Sequence, residues 1–280
     1  MKKLLIIITL FLVGCKSDQT RENATWSFDS STGNYIEWQS DNDFANEMTN
    51  AAFGHIYNIE FEKAVVFFEK AISYDPSLFG PHVVLAGMAP AGSAKERMHI
   101  DKARQKVADK NETSKLFVSL LDLPRESRFW PLLGANTHEK WAEMRAIEPK
   151  GKLIHFYYAF TIPGLDNKIK ELETLLSEIR DGVGDSKSLS VTGDHSYMEA
   201  PIVNVLGYLY YNKGDKEKSR LLFEEYIDLY PNGYNPYDSM GEFFFNEGDL
   251  EQSKVYYEKA IEKYFGATVA IDRLRELNEE

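Results

Sequence analysis

Apolar residues recur at intervals of three and four along most of the chain beyond residue 40, which is the period of amphipathic helices. Ser93 and Glu96 resemble a capping box that opens a helix through Ala108, and a second helix is predicted over His138–Ile147. Residues 268–277 are apolar on one face and charged on the other. The pattern predicts an all-α protein.

The pattern also repeats itself, with a spacing of 34 residues, near the end of the chain. The matching segments are Leu206-Gly207-x2-Tyr210 with Met240-Gly241-x2-Phe244, Gly214-Asp215 with Gly248-Asp249, and Ser219-x3-Phe223 with Ser253-x3-Tyr257. An earlier unit with Ala52, Ala64-x3-Phe68, Ala71 and Pro76 has the same offsets. Small residues at these offsets let two antiparallel helices approach closely, and an aromatic ring fills the groove between them.

These segments resemble the tetratricopeptide repeat, whose signature is Leu-Gly-x2-Tyr followed by Ala-x3-Phe and Pro. The resemblance implies a right-handed superhelical stack of antiparallel helix pairs. Two positions depart from the signature: Tyr226 stands where a small residue is usual, and Phe265 replaces the closing proline. At the start of the last unit, Asn235 is predicted as the helix N-cap, followed by Pro236 in the first turn.

The expected α-solenoid occupies residues 40–280. Its predicted parts are clear repeats at 48–76, 200–231 and 235–265, degenerate helix pairs over 79–180, a polar surface loop at 181–196 and a cap helix at 268–277.

The start of the chain has a different character. Residues 1–14 combine a short basic segment with an apolar run, and Leu12-Val13-Gly14-Cys15 resembles the lipobox of bacterial lipoproteins. That resemblance implies a cleaved signal peptide, lipidation of Cys15 and a membrane anchor in the cell envelope, with the outer membrane favoured and its face left open. Residues 15–39 are expected to form a polar tether. Trp26, Tyr35, Ile36 and Trp38 are expected to pack the end of that tether onto the first helix.

The net charge and the motifs of the sequence argue against several classes of function. The net charge of −12 opposes binding to nucleic acid. Histidines are never three or four residues apart, so the helical zinc motif is missing, and no glycine-rich phosphate loop occurs. Asp194-His195-Ser196 holds three catalytic residue types, but adjacent residues cannot form a relay. We therefore expect no enzyme activity, catalytic residue, metal or cofactor.

In this repeat family the concave face is formed by helix A side chains at offsets 5, 9, 12 and 13. Their equivalents in the last two repeats are Asn204, Tyr208, Tyr211, Asn212, Asp238, Glu242, Phe245 and Asn246. The same offsets in the first repeat give Thr49, Phe53, Ile56 and Tyr57. Such a groove suits an extended peptide or an amphipathic helix from another envelope protein. The alternative at residue level is that these aromatics pack against the neighbouring repeat.

The leading hypothesis is therefore a protein-binding scaffold or assembly adaptor anchored in the envelope. The alternative is a surface glycan-binding accessory lipoprotein for nutrient uptake, which would need exposed aromatic platforms.

Overall fold

The computed structural model describes residues 35–149, 151–181 and 198–279, and within these ranges the regular structure is helical with no strand. The helices are α1 (Asp43–Tyr57), α2 (Phe61–Tyr74), α3 (Gly80–Met88), α4 (Ala94–Lys106), α5 (Glu112–Ser119), α6 (His138–Ile147), α7 (Lys152–Thr161), α8 (Leu165–Asp181), α9 (Glu199–Lys213), α10 (Lys216–Leu229), α11 (Asn235–Glu247), α12 (Leu250–Lys263) and α13 (Thr268–Glu279). The predicted all-α fold built of stacked helix pairs is confirmed. Residues 1–34, with Cys15 and Trp26, and nearly all of the predicted loop at 181–196 lie outside the described residues.

Two glycines explain why the last helix pairs pack so closely. A Cβ atom at Gly207 in α9 would lie 2.7 Å from the ring of Phe223 in α10. At Gly241 in α11, a Cβ atom would lie 2.8 Å from the ring of Tyr257 in α12. The glycine and the aromatic residue of the repeat signature are therefore one packing contact, made twice.

The turn inside each of these pairs is also repeated. Gly214 and Gly248 end α9 and α11 in the left-handed conformation, with φ of 90° and 81°, which glycine adopts without steric cost. The next residues, Asp215 and Asp249, each accept a hydrogen bond from the backbone N–H three residues later, at 3.1 Å. These carboxylates cap the starts of α10 and α12.

The segment before α1 is fixed by its aromatic residue. Trp38 is 1% exposed, and its ring stacks on Phe53 of α1 with centroids 4.2 Å apart. Its other contact is edge-on with Phe117 of α5, at 5.5 Å. The prediction that this aromatic cluster packs the end of the tether onto the first helix is confirmed for Trp38.

Two predicted helix starts had different outcomes. The Ser93 hydroxyl accepts a hydrogen bond from the backbone N–H of Glu96 at 3.1 Å, so this predicted cap is confirmed. The N-cap assignment of Asn235 was wrong. This residue is already inside α11, and its amide donates to the Tyr226 hydroxyl at 3.2 Å. A contact between elements, rather than local capping, therefore occupies this side chain.

The stack of helix pairs also closes on itself. Sequential neighbours pack along the chain, but the turn between α1 and α2 meets the turn between α10 and α11. The Tyr226 hydroxyl donates to Asn58 Oδ1 at 3.0 Å, and the Thr268 hydroxyl donates to Glu62 at 2.9 Å. One large hydrophobic core runs from Ile36 to Tyr226, and α11 to α13 form a smaller one. The expected groove is therefore interrupted by contacts between distant repeats.

Candidate binding site

Helices α9 and α11 carry the eight residues predicted for the concave face, which we call the C-terminal surface. Asn212 and Asn246 are exposed, and Tyr208, Tyr211, Glu242 and Phe245 are half-buried. Asn204 and Asp238 are buried, with exposed fractions of 1% and 8%. Six of the eight side chains therefore reach solvent, and the remaining two lie beneath them.

The two tyrosines of this surface connect one repeat to the next. The Tyr208 hydroxyl donates to Glu242 at 2.7 Å, and the Tyr211 hydroxyl donates to Glu247 at 2.9 Å. Their rings also pack inward, with Tyr208 edge-on to Phe223 of α10 at 4.9 Å. These aromatics therefore pack against the rest of the array, as the alternative expected, and both residues are half-buried.

Asp238 is a buried carboxyl of the C-terminal surface with a raised pKa. Its Oδ1 atom is buried and has no hydrogen-bond partner among the described residues. Burial, reinforced by the negative charge of Glu242, raises the pKa of the Asp238 carboxyl to about 7, although Arg273 acts in the opposite direction. A buried acceptor without a donor is costly to a folded protein, and the raised pKa reflects that cost for the ionised form.

The cap helix adds a cation that the repeat offsets did not predict. Arg273 of α13 lies with its guanidinium carbon 5.1 Å from the centre of the Phe245 ring and forms an ion pair with Glu276 at 2.7 Å. Phe245 is therefore partly covered by α13. The charges at this surface are mixed, with acidic side chains in excess of the single arginine.

A common position links the first repeat to the last two. Thr49, Asn204 and Asp238 all occupy repeat offset 5, and all are buried with exposed fractions of 1%, 1% and 8%. Each has one buried side-chain oxygen with no hydrogen-bond partner among the described residues. Repeat offset 5 therefore carries a buried polar side chain with one unsatisfied oxygen in three helix pairs.

The closing contact is organised by Glu60, in the turn between α1 and α2. This side chain is fully buried, and its carboxylate receives four donors: His55 Nδ1 at 2.8 Å, Lys63 Nζ at 2.9 Å, the Tyr230 hydroxyl at 3.0 Å and the backbone N–H of Tyr234 at 2.8 Å. Burial alone would raise the pKa of Glu60, but the hydrogen bonds and charges of His55 and Lys63 outweigh burial and lower it. We call Asn58, Glu60, Tyr226, Tyr230 and Tyr234 the closure cluster. The repeat offsets contain no signal for it, because Glu60 lies in a turn.

The same turn contains a strained residue. Ile59 has a φ of 60°, a left-handed conformation that is unfavourable for a β-branched side chain. Its carbonyl oxygen accepts the Tyr234 hydroxyl at 3.4 Å, so the closure cluster helps hold the turn in place.

Next to the closure cluster, the structure contains a cavity of about 460 Å3. Its wall consists mainly of apolar side chains from α1, α2, α3, α7 and α9, together with the segment 125–133. The residues that line it include Ile56, Tyr57, Ile59, Phe61, Val65, Val84, Gly87, Met88, Phe129, Trp130, Leu132, Phe156, Phe160 and Val205. Ile56 and Tyr57 were predicted for the concave face of the first repeat. Applying the same offsets to Ala86 and Ala159 gives Gly87, Phe156 and Phe160, which sequence reasoning missed.

Segment 125–133 is held against α3 by an arginine. Arg125 donates to the carbonyl of Gly87 at 2.7 Å and forms an ion pair with Glu96 at 2.7 Å. A Cβ atom at Gly87 would lie 2.1 Å from the carbonyl oxygen of Trp130. Glycine is therefore required where this segment meets the helix and forms the cavity wall.

Within the described residues we find no group of three side chains arranged to bind a metal ion. The described helices also include none with the length and apolarity needed to cross a bilayer.

Comparison with known proteins identifies the repeats in one part of the chain. Family models described as tetratricopeptide repeat match residues 206–233 and 234–262. The protein contains two tetratricopeptide repeats there. They cover α10 and α11, nearly all of α12 and the second half of α9, and so carry the C-terminal surface except for Asn204. Tetratricopeptide repeats are a module that binds other proteins or peptides. No curated protein matches the chain.

Several solved structures resemble the chain at low identity. A thermophilic tetratricopeptide-repeat protein of Thermus thermophilus, TTC0263, is 13% identical with a TM-score of 0.38, covering 84% of this chain and 100% of that one. The MamA protein is 14% identical with a TM-score of 0.33, covering 79% and 92%. The assembly chaperone of RpL4, Acl4, is 11% identical with a TM-score of 0.31, covering 87% and 85%. TM-scores at this level do not establish a shared arrangement of the helices.

Proposed function

We propose that this protein is an adaptor of the bacterial envelope that binds a segment of another envelope protein on its C-terminal surface. The observation that carries the proposal is the acidic and aromatic character of this surface inside the two matched tetratricopeptide repeats, where Glu242 is half-buried and the buried Asp238 lies one helical turn before it. Around it, Tyr208 and Glu242 form a hydrogen-bonded pair at the surface. This arrangement favours a partner segment that supplies hydrogen-bond donors.

The charge balance favours the same kind of partner. Glu242 adds a second carboxylate four residues after Asp238 on the same helix, and Arg273 is already paired with Glu276. An acidic partner segment would be repelled, whereas lysine, arginine or amide side chains would be attracted. Aromatic rings at the surface would supply apolar contact area.

Site-specific photo-crosslinking in intact cells tests this proposal. A benzoyl-phenylalanine at Asn212, which is exposed beside the C-terminal surface, should form an adduct with a partner protein, and Glu242→Gln should weaken that adduct. The matched control substitution is Glu251→Gln, at an exposed acid of α12. Equal adducts in the Glu242 and Glu251 variants would contradict the proposal.

The membrane anchor is a separate part of the proposal. It is supported by the lipobox-like sequence before Cys15, the sole cysteine. Cys15→Ser should move the protein from the membrane fraction to the soluble fraction and remove labelling by radioactive palmitate. A protein that stays unlabelled in its native form would refute the anchor without affecting the binding surface.

The glycan-binding alternative requires exposed aromatic platforms. Trp38, Trp130 and Trp141 are 1%, 6% and 0% exposed, so none of the tryptophans in the described residues offers such a platform. Phe44 and Tyr74 do form an exposed stacked pair, with ring centroids 5.6 Å apart, so the choice of a protein partner rests on the matched repeats.

A further inference from the structure

The cavity beside the closure cluster is a second candidate site, on helices that bear no part of the C-terminal surface except α9. Its volume of about 460 Å3 lies in the range of small-ligand pockets, roughly 300–1,000 Å3. Phe61, Val65, Met88 and Phe160 line it and are all half-buried, so apolar groups reach its opening. A concave, mostly apolar pocket of this size is typical of small-ligand sites.

The interior of the cavity offers few polar groups to a ligand. Tyr57 and Tyr157 are deeply buried, and their rings contact each other with centroids 5.8 Å apart. The guanidinium of Arg125 is occupied by Glu96 and the backbone of α3. The Glu62 oxygens accept the hydroxyls of Tyr234 at 2.6 Å and Thr268 at 2.9 Å. The body of a ligand here must therefore be apolar.

One charged side chain at the cavity, Arg128, forms no ion pair among the described residues. Arg128 lines the cavity and is exposed, and its guanidinium carbon lies 4.5 Å from the centre of the Phe129 ring. Among the described residues it faces no carboxylate in ion-pair distance. An arginine held over an aromatic ring at the edge of an apolar cavity is suited to bind an anionic head group with directed hydrogen bonds.

We infer that the cavity binds a small amphiphile with an unbranched apolar tail and a single anionic head, the tail lying between α1, α3 and α7 and the head against Arg128. Free fatty acids and acyl phosphates share this chemistry. The inference does not depend on the proposed adaptor function, because neither Tyr208 nor Glu242 lines the cavity.

Titration of the purified full chain with octanoate, decanoate and dodecanoate tests the site, using displacement of dansyl-undecanoate as the signal. Affinity should rise roughly fourfold for each methylene that the cavity buries. Dodecanol and dodecyltrimethylammonium should bind at least tenfold more weakly than dodecanoate, because they lack the charge-assisted hydrogen bonds to Arg128. Dodecyl phosphate serves as a parallel probe: tighter binding of the carboxylate assigns a fatty acid, and tighter binding of the phosphate assigns a phosphate-headed lipid.

Two variants locate the ligand. Arg128→Gln should weaken dodecanoate binding about tenfold and leave dodecanol unchanged, while the matched control Arg275→Gln, on α13, should change neither. Val65→Trp, which fills the cavity, should abolish binding of all probes with the helical circular dichroism retained. If Val65→Trp fails to fold, Arg128→Gln and the head-group series decide the question. Equal affinity for the three head groups, no binding of dodecanoate, or unchanged binding in Arg128→Gln would overturn the inference.

Discussion

Two buried carboxylates, Glu60 and Asp238, behave in opposite ways. Glu60 lies in the closure cluster, is surrounded by four donors and has a lowered pKa. Asp238 lies in the C-terminal surface, has an oxygen without a donor and has a pKa raised to about 7. The first acid is satisfied by the fold and joins its distant parts. The second is buried without a donor for one of its oxygens among the described residues, so its ionised form is disfavoured.

This difference separates a buried acid that the fold satisfies from one that it leaves partly unsatisfied. Burying an ionised acid is favourable only where hydrogen bonds replace its lost hydration. Glu60 meets that condition through residues about 170 positions away in sequence, including Tyr230 and Tyr234. Asp238 does not, so the C-terminal repeats carry an electrostatic cost when this carboxyl is ionised.

Removing Glu60 is expected to have the largest effect. Glu60→Ala removes the buried carboxylate that accepts the Tyr230 hydroxyl and the Tyr234 N–H and that pairs with Lys63, and should lower the free energy of unfolding by about 3–5 kcal/mol. The matched control is Glu69→Ala, in an exposed ion pair with Lys95, which should cost about 0–1 kcal/mol. Urea unfolding followed by circular dichroism measures both. Similar costs would mean that Glu60 does not close the array.

Asp238→Asn should have a smaller effect with the opposite sign. Because the pKa of Asp238 is raised from 3.8 to about 7, the folded state binds more protons between these values, and the free energy of unfolding falls as pH rises through that window. The neutral amide removes this loss. The variant should be more stable than the wild type above pH 7, by roughly 1–3 kcal/mol, and the difference should shrink towards pH 4. A pH-independent difference would contradict the assigned pKa.

A substitution in the cavity wall should change the free energy of unfolding by a similar or smaller amount than Asp238→Asn. In Gly87→Ala the new methyl group collides with the Trp130 carbonyl, so segment 125–133 must shift, at a cost of about 1–3 kcal/mol. Gly248→Ala meets no atom within 4 Å but requires a left-handed alanine, which should cost about 1 kcal/mol. Thermal unfolding ranks the two. Only Gly87→Ala should also change the fluorescence of Trp130, because Gly248 does not line the cavity.

The helix pairs could be predicted because their packing is local in sequence. Gly207 and Phe223 are 16 residues apart and meet inside one pair, so the repeat signature records their contact directly. The same signature identified Tyr226 as a departure from the usual small residue. The structure gives the reason: its hydroxyl reaches Asn58, 168 residues away. Closure could not be predicted, because repeat offsets describe neighbours and carry no information about which distant turns meet.

The candidate site was predicted in part. The offsets placed Tyr208 and Glu242 together on one surface, where they form a hydrogen bond. They did not distinguish exposed members from buried ones such as Asn204, since exposure depends on what α13 and the neighbouring helices cover. The sequence did not predict the cavity, because Phe156 and Phe160 lie in a degenerate helix pair. The repeat signature is weak there and does not identify the concave-face positions.

A double-mutant cycle between Asn58→Ala and Tyr226→Phe tests the central claim, that the array closes on itself, most directly. The two residues share a hydrogen bond of 3.0 Å across 168 positions of sequence. If the turns meet, the unfolding free energies of the two single variants and the double variant should give a coupling of about 1 kcal/mol. Strict additivity, within about 0.3 kcal/mol, would show that the two turns are apart and that the array is open.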